Sequence, residues 1–327
     1  MEIPDFPPAP LQEKPQETFF NKFLEKGKEG KNEFWRYVLG IVIVIVGGYF
    51  LIGQVPLDIA AVWAFQKGYI SITDPNINSK ILNPAVMHLD PNFLFFLELF
   101  IFVAAMFALW IVVTKMHRKN FKSIITSAPK IRWKRFALTA AIWMMLCFVS
   151  QFIAMQMDPG NFTYVFNLQP FLLTLLIGVI FLPIQTWWEE FFFRGYLYQG
   201  IGLKTKTALV PIIITGFIFA GIHMFNPEVA AYGALNMFPA YLIPGIFLGM
   251  MAALDEGLES AMGMHFANNL FGTIAVTSSD SAIQANTIWR AKTMNPFSDN
   301  LTLLFAFILL MGILSYTNKW NFSKLYR

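Results

Sequence analysis

The chain is poor in cysteine, in histidine and in charge. Cys147 is the single cysteine among 327 residues, four residues are histidine, and charged side chains make up 13% of the total. One cysteine excludes an intrachain disulfide framework and a thiolate metal centre. Its place inside the apolar run WMMLCFVSQF reads as that of a small buried hydrophobe. So little charge excludes an ordinary soluble enzyme. The formal charge of +4 gives no reason to expect a nucleic-acid partner, because the lysines and arginines flank apolar segments, where they mark one face of a membrane. What the chain does have is 56% hydrophobic residues, with 35 phenylalanines. That composition predicts an all-α polytopic membrane protein seated in the lipid bilayer.

The first 36 residues carry six basic and seven acidic side chains, are rich in proline at the start and have no early apolar core. They do not resemble a cleaved signal peptide and read as a cytoplasmic tail, with a short surface helix around Phe19 to Phe23. Eight apolar runs then approach the length of about 20 residues needed to cross hydrocarbon. They lie near 37–54, 93–114, 136–156, 170–188, 207–225, 235–254, 260–277 and 300–317. Residues 57–72 read as an interfacial helix. The expected organisation is therefore a tail over 1–36, one transmembrane bundle over 37–318, and a second cytoplasmic tail over 319–327.

The charges set an orientation. The connection 115–135 holds eight basic residues and no acid, whereas 157–169 holds only Asp158. Placing 115–135 inside puts both termini inside, together with LKTKT near 205 and the acidic DEGLE at 255–259. The expected location is the cytoplasmic membrane of a bacterium. No internal repeat is visible, so the duplicated architecture of many transporters is not expected.

Against this apolar background the stretch IQTWWEEFFFRGYLYQG at 184–200 stands out. Pro183 precedes it and predicts a bend. Glu190 and Arg194 are four apart, share a helix face in the favourable order, and can neutralise each other. Glu189 is left over, about 100° around the helix. A lone carboxylate in an apolar wall needs a polar site facing it, or else lies at the end of a span. Two histidines also fall in apolar runs, His223 in GFIFAGIHMFNP and His265 in SAMGMHFANNLF, with Asn269 one turn after His265. Each alone could be packing glue between helices. A spare carboxylate, two imidazoles and an amide together make an inventory for activating water against a carbonyl. His88 and His117 read as surface residues, and Glu98, in FFLELFIF, as a helix-end or interhelical polar contact.

Three pieces in this order, EEFFFRG at 189–195, FAGIH at 219–223 and HFANN at 265–269, resemble the motifs of the CPBP family of CAAX-prenyl and bacteriocin-processing intramembrane proteases, also called Abi. The resemblance covers about 170–280. It implies an intramembrane endopeptidase acting on a lipidated or membrane-embedded protein or peptide. By the same resemblance Glu189 activates water, His223 positions it, His265 and Asn269 stabilise the oxyanion, and Glu190 with Arg194 forms a structural ion pair. No cofactor is then required. A zinc-dependent metalloprotease using Glu189, His223 and His265 is the alternative, although the chain has no His-Glu-x-x-His helix. A non-catalytic immunity factor or scaffold for a cell-envelope protein is the other. Two points fit poorly. TWW stands where the family commonly has small or aliphatic residues, and the eight-span drawing puts His223 at the opposite end of its span from Glu189 and His265, a separation that no catalytic cluster tolerates.

Overall fold

The computed structural model describes residues 21–75, 77–278 and 280–326, so most of the expected N-terminal tail lies outside the described residues. Apart from short turns, the helices in chain order are α1 (Phe34–Gly53), α2 (Val55–Gln66), α3 (Pro91–Met116), α4 (Trp133–Met157), α5 (Leu168–Thr205), α6 (Leu209–Phe225), α7 (Ala234–Asp255), α8 (Glu259–Ile274) and α9 (Pro296–Asn318). The all-α polytopic expectation holds. Six of these helices, α1, α3, α4, α5, α7 and α9, are long and apolar enough to cross a membrane. All eight expected runs form helices, and those at 207–225 and 260–277 are the shorter α6 and α8. A helix enclosed by protein can be shorter than a lipid-facing span when other groups take over its terminal backbone hydrogen bonds. At the end of α8 the carbonyls of Ile274 and Ala275 accept from Ile288 and Trp289 at 3.0 and 2.9 Å.

Those bonds lead into a three-stranded patch that three-residue segments are too short to announce in the sequence. β1 (Phe162–Tyr164) pairs antiparallel with β3 (Trp289–Ala291), and β3 pairs in parallel with β2 (Val276–Ser278). The patch fastens the α4–α5 connection to the α8–α9 connection. At the same end Asp90 caps α3 by accepting from the amides of Asn92 and Phe93, with Pro91 in the first turn. Asn92 then reaches α5, donating to the Pro170 carbonyl at 3.1 Å and accepting from Thr174. Further along, Phe102 packs on Trp188 at 5.4 Å. The two helices run in the same direction, and α3 is thereby held in register beside the segment that carries the paired glutamates.

α5 is one continuous helical run of 38 residues. Pro183 lies inside it without interrupting it. The span expected to end near 188 thus continues past the motif to Thr205, which sets Glu189 within the helix and removes the mismatch in level with His223.

The opposite end of the bundle collects the charges. Arg132 grips buried Glu259 with two nitrogens at 3.0 and 2.5 Å, and Asp255 accepts from Arg135 and from the Trp320 indole, each at 2.6 Å. Leu258 donates to the Ile125 carbonyl at 2.8 Å, Lys324 pairs with Glu256 at 3.0 Å, and Asn21 donates to the Ala253 carbonyl at 3.0 Å. The basic connection, the 255–259 turn and both described ends of the chain therefore share one face.

His117 is buried there, contrary to the surface position expected of it. Its Nδ1 meets the Lys31 carbonyl at 2.7 Å and its Nε2 the Tyr196 hydroxyl at 2.9 Å, and burial pushes it below the usual histidine range. His88 is exposed as expected, packed on the Tyr69 ring. Glu98 sits in α3 with Oε1 buried and without a hydrogen bond, so the polar contact expected of it is not seen at that atom.

Lys119, also buried, donates to the Gly27 carbonyl at 2.7 Å and to the Tyr37 hydroxyl at 3.2 Å, and desolvation pushes its ammonium down to about 8. An unfolded chain keeps this proton up to about pH 10.4. The unfolded state binds more protons between those values, so stability contributed at this position rises with pH across the window. Thermal unfolding in detergent is expected to show wild type gaining on Lys119→Met between pH 8 and about 10; an unchanged gap would contradict it.

Candidate active site

The motif segment of α5 departs from regular α geometry. Glu190–Leu197 winds as a π-helix with every side chain buried. Such wider turns recur at functional sites because they re-aim side chains that a regular helix would distribute otherwise. Here Glu190 and Arg194 form the pair expected from their spacing, Nη1 to Oε1 at 3.1 Å, with both side chains fully enclosed. Arg194 also donates to the Gly245 carbonyl of α7 at 3.3 Å, and its guanidinium lies 4.3 Å from the Phe219 ring centre of α6. One cation thus ties three helices together.

Glu190 does more than neutralise Arg194. His265 of α8 places Nδ1 2.8 Å from Glu190 Oε1 and Nε2 3.6 Å from Glu189 Oε2, so the imidazole stands between the two carboxyl groups. Glu190, paired to an arginine, can only accept. Nδ1 of His265 therefore carries a proton, and in the neutral ring Nε2 presents its lone pair toward Glu189.

The other oxygen of Glu189 has a partner that sequence reasoning missed. Gln185, one turn earlier on α5, donates Nε2 to Glu189 Oε1 at 2.5 Å and accepts from Asn269 Nδ2 at 3.0 Å. Its spacing of four from Glu189 was a signal, but glutamine in a helix is too ordinary to be singled out. Glu189 Oε2 has no hydrogen-bond partner among the described residues.

The structure thus brings Glu189, Glu190, His265 and Asn269 into one cluster, in which hydrogen bonds join Glu189 to Asn269 through Gln185 and His265 to Glu190, and the two groups meet at 3.6 Å. His223 borders it. Its Nδ1 donates to the Phe219 carbonyl at 2.7 Å, its ring stacks on Tyr241 at 4.7 Å, and the Phe219 ring neighbours both it and His265. It makes no hydrogen bond to Glu189, His265 or Asn269, although it lies within electrostatic range of the first two. The two tryptophans before the glutamates are packing groups. Trp188 stacks on Phe192 and touches Tyr49 and Phe102, while Trp187 meets Trp133 and Phe136.

Zinc would need Glu189, His223 and His265 to converge. Both histidines donate through Nδ1 and leave Nε2 lone pairs, as metal-bound histidines do. Among the described residues, however, no three His, Cys, Asp or Glu side chains come together to hold an ion. The arrangement does not fit a metal centre.

Residues 168–271 match the family model of the type II CAAX prenyl endopeptidase Rce1-like proteins. The chain is also 29% identical over 298 residues to the uncharacterized protein YyaK of Bacillus subtilis (strain 168), covering 90% of this chain and 96% of that one. No solved structure matches. The family match supports an intramembrane protease of the CAAX class, and its boundaries agree with the 170–280 expected from the three motifs.

Removing one member of an enclosed ion pair leaves a bare charge, at a cost of about 3–5 kcal/mol. Arg194→Met should lose about that much in a denaturing-detergent titration, and adding Glu190→Gln should restore part of it. A double variant no more stable than the single one would show that the pair is not what Arg194 stabilises.

Proposed function

Because residues 168–271 match the family model of the type II CAAX prenyl endopeptidase Rce1-like proteins, we propose that this protein is an intramembrane endopeptidase that hydrolyses a peptide bond in a lipidated or membrane-embedded protein or peptide. The observation that carries this reading is the state of Glu189. One oxygen is held by Gln185 and the other is free, 3.6 Å from a histidine lone pair. A separation of that size is too wide for a direct hydrogen bond and close enough for one water to contact both atoms.

Glu189 Oε2 takes a proton from that water as its oxygen attacks the carbonyl carbon. Asn269 has a second amide N–H to offer the developing oxyanion, the first being used on Gln185. The proton taken by Glu189 can pass to Nε2 of His265, which then donates to the oxyanion while Glu190 balances the charge, before the proton goes back to Glu189. Glu189 next returns the proton to the departing nitrogen as the C–N bond breaks. His223 acts from the edge, through its free Nε2, on water. No step runs through a metal. The buried Phe219 ring lies against His223, His265 and Arg194 and helps keep bulk water away, so the dipoles that remain act in a low dielectric. The basic end of the bundle is the cytoplasmic one on this reading.

Purified protein in detergent is to be offered a library of short transmembrane and lipidated peptides. Wild type should cleave members of it with or without a strong chelator. Glu189→Gln should lower cleavage by about 10²–10⁴-fold, and Asn269→Leu by about 10²–10³-fold. Cleavage lost on chelation and restored by zinc would replace this mechanism with a metal-dependent one. A folded wild type as inert as Glu189→Gln across the library would favour the immunity or scaffold role.

A further inference from the structure

Gln185 is one link of a longer chain. Trp143 of α4 donates its indole N–H to Asn268 Oδ1 at 3.2 Å. Asn268 donates Nδ2 to Asn269 Oδ1 at 3.2 Å, Asn269 donates Nδ2 to Gln185 Oε1 at 3.0 Å, and Gln185 donates Nε2 to Glu189 Oε1 at 2.5 Å. Four bonds across three helices all run in the same sense, from a group that can only donate to a carboxylate that can only accept.

The two ends decide the orientation of every amide between them. Flipping Asn268, Asn269 or Gln185 would set donor against donor or acceptor against acceptor at two places. The start of the chain is itself fixed, because the Trp143 ring is buried and packed on Phe307 at 4.7 Å.

We infer that Trp143, Asn268, Asn269 and Gln185 form a one-way hydrogen-bond relay that positions the Glu189 carboxylate and the Asn269 amide together, with Gln185 as a positioning residue for the hydrolysis. This rests on the reading of Glu189 as the base and Asn269 as the oxyanion donor. Aligned hydrogen bonds polarise one another, so each amide in the series is a stronger donor than it would be alone. The Asn269 N–H left over for an oxyanion gains from the Asn268 bond behind it, and Glu189 Oε1 is pinned so that Oε2 is the oxygen that works. Gln185 acts through the two side chains it binds, Glu189 and Asn269. It fixes which atom of Glu189 and which hydrogens of Asn269 face the reaction.

The relay can be tested apart from catalysis by observing the tryptophan indole resonances of ¹⁵N-labelled protein in detergent, with Trp143→Phe identifying the Trp143 signal. Glu189→Gln is expected to move that signal in the wild-type background and to leave it in place in a Gln185→Met background. If Gln185→Met does not fold, Asn268→Leu breaks the chain two links earlier and gives the same readout. In the cleavage assay Gln185→Met should lower kcat by about 10–100-fold with KM within about 3-fold, as loss of an interaction used in the transition state requires. A Trp143 signal indifferent to Glu189→Gln, or equally responsive when Gln185 is replaced, overturns the relay even if wild type cleaves. A responsive signal in a protein that cleaves nothing keeps the relay and removes the protease.

Discussion

Everything near the site depends on the expense of enclosing charge. An ionised side chain taken out of water must find compensation in the protein, and Arg194 finds it in Glu190, in the Gly245 carbonyl and in the face of Phe219. Those contacts draw α5, α6 and α7 together. Once Glu190 is committed to the arginine it can serve His265 only as an acceptor, which fixes the proton on the imidazole and turns its other nitrogen toward Glu189. The properties of the second carboxylate follow from how the first was neutralised.

The motif residues were legible because such expense leaves few places for them. Glutamate, arginine and histidine among phenylalanines can be found by reading, and the Glu190–Arg194 pair followed from a spacing of four. Gln185, Asn268 and Trp143 were not legible in that way. An uncharged amide costs little anywhere in a bundle, and its meaning appears only when the partner across the helix interface is known. His117 misled for the opposite reason. In a connection with eight basic residues it read as solvated, yet the carbonyl of Lys31 and the hydroxyl of Tyr196 close over it.

The span count shows the limit of hydropathy as a guide to length. The apolar runs at 207–225 and 260–277 are real helices, but hydropathy cannot tell a helix facing lipid from one wrapped by its neighbours. α8 is of the second kind, with nine buried residues in a helix of 16. Only a helix enclosed in this way can carry His265 and Asn269 inward while its end passes into a strand. The 38 residues of α5 err in the other direction, since the polar motif that appeared to end a span lies in the middle of one.

The segment ahead of α1 has its own part in this arrangement. Phe23 and Leu24 are buried, Gln199 of α5 donates to the Phe23 carbonyl at 3.1 Å and to the Ser123 carbonyl at 2.7 Å, and Leu24 lies against Gly202 so closely that a methyl group there would collide with it. The last turns of the helix that bears the glutamates thus rest on residues that hydropathy assigns to a tail. Shortening the protein to its apolar portion would take away a wall, uncover the amide of Gln199, and loosen the helix from the end at which it is held.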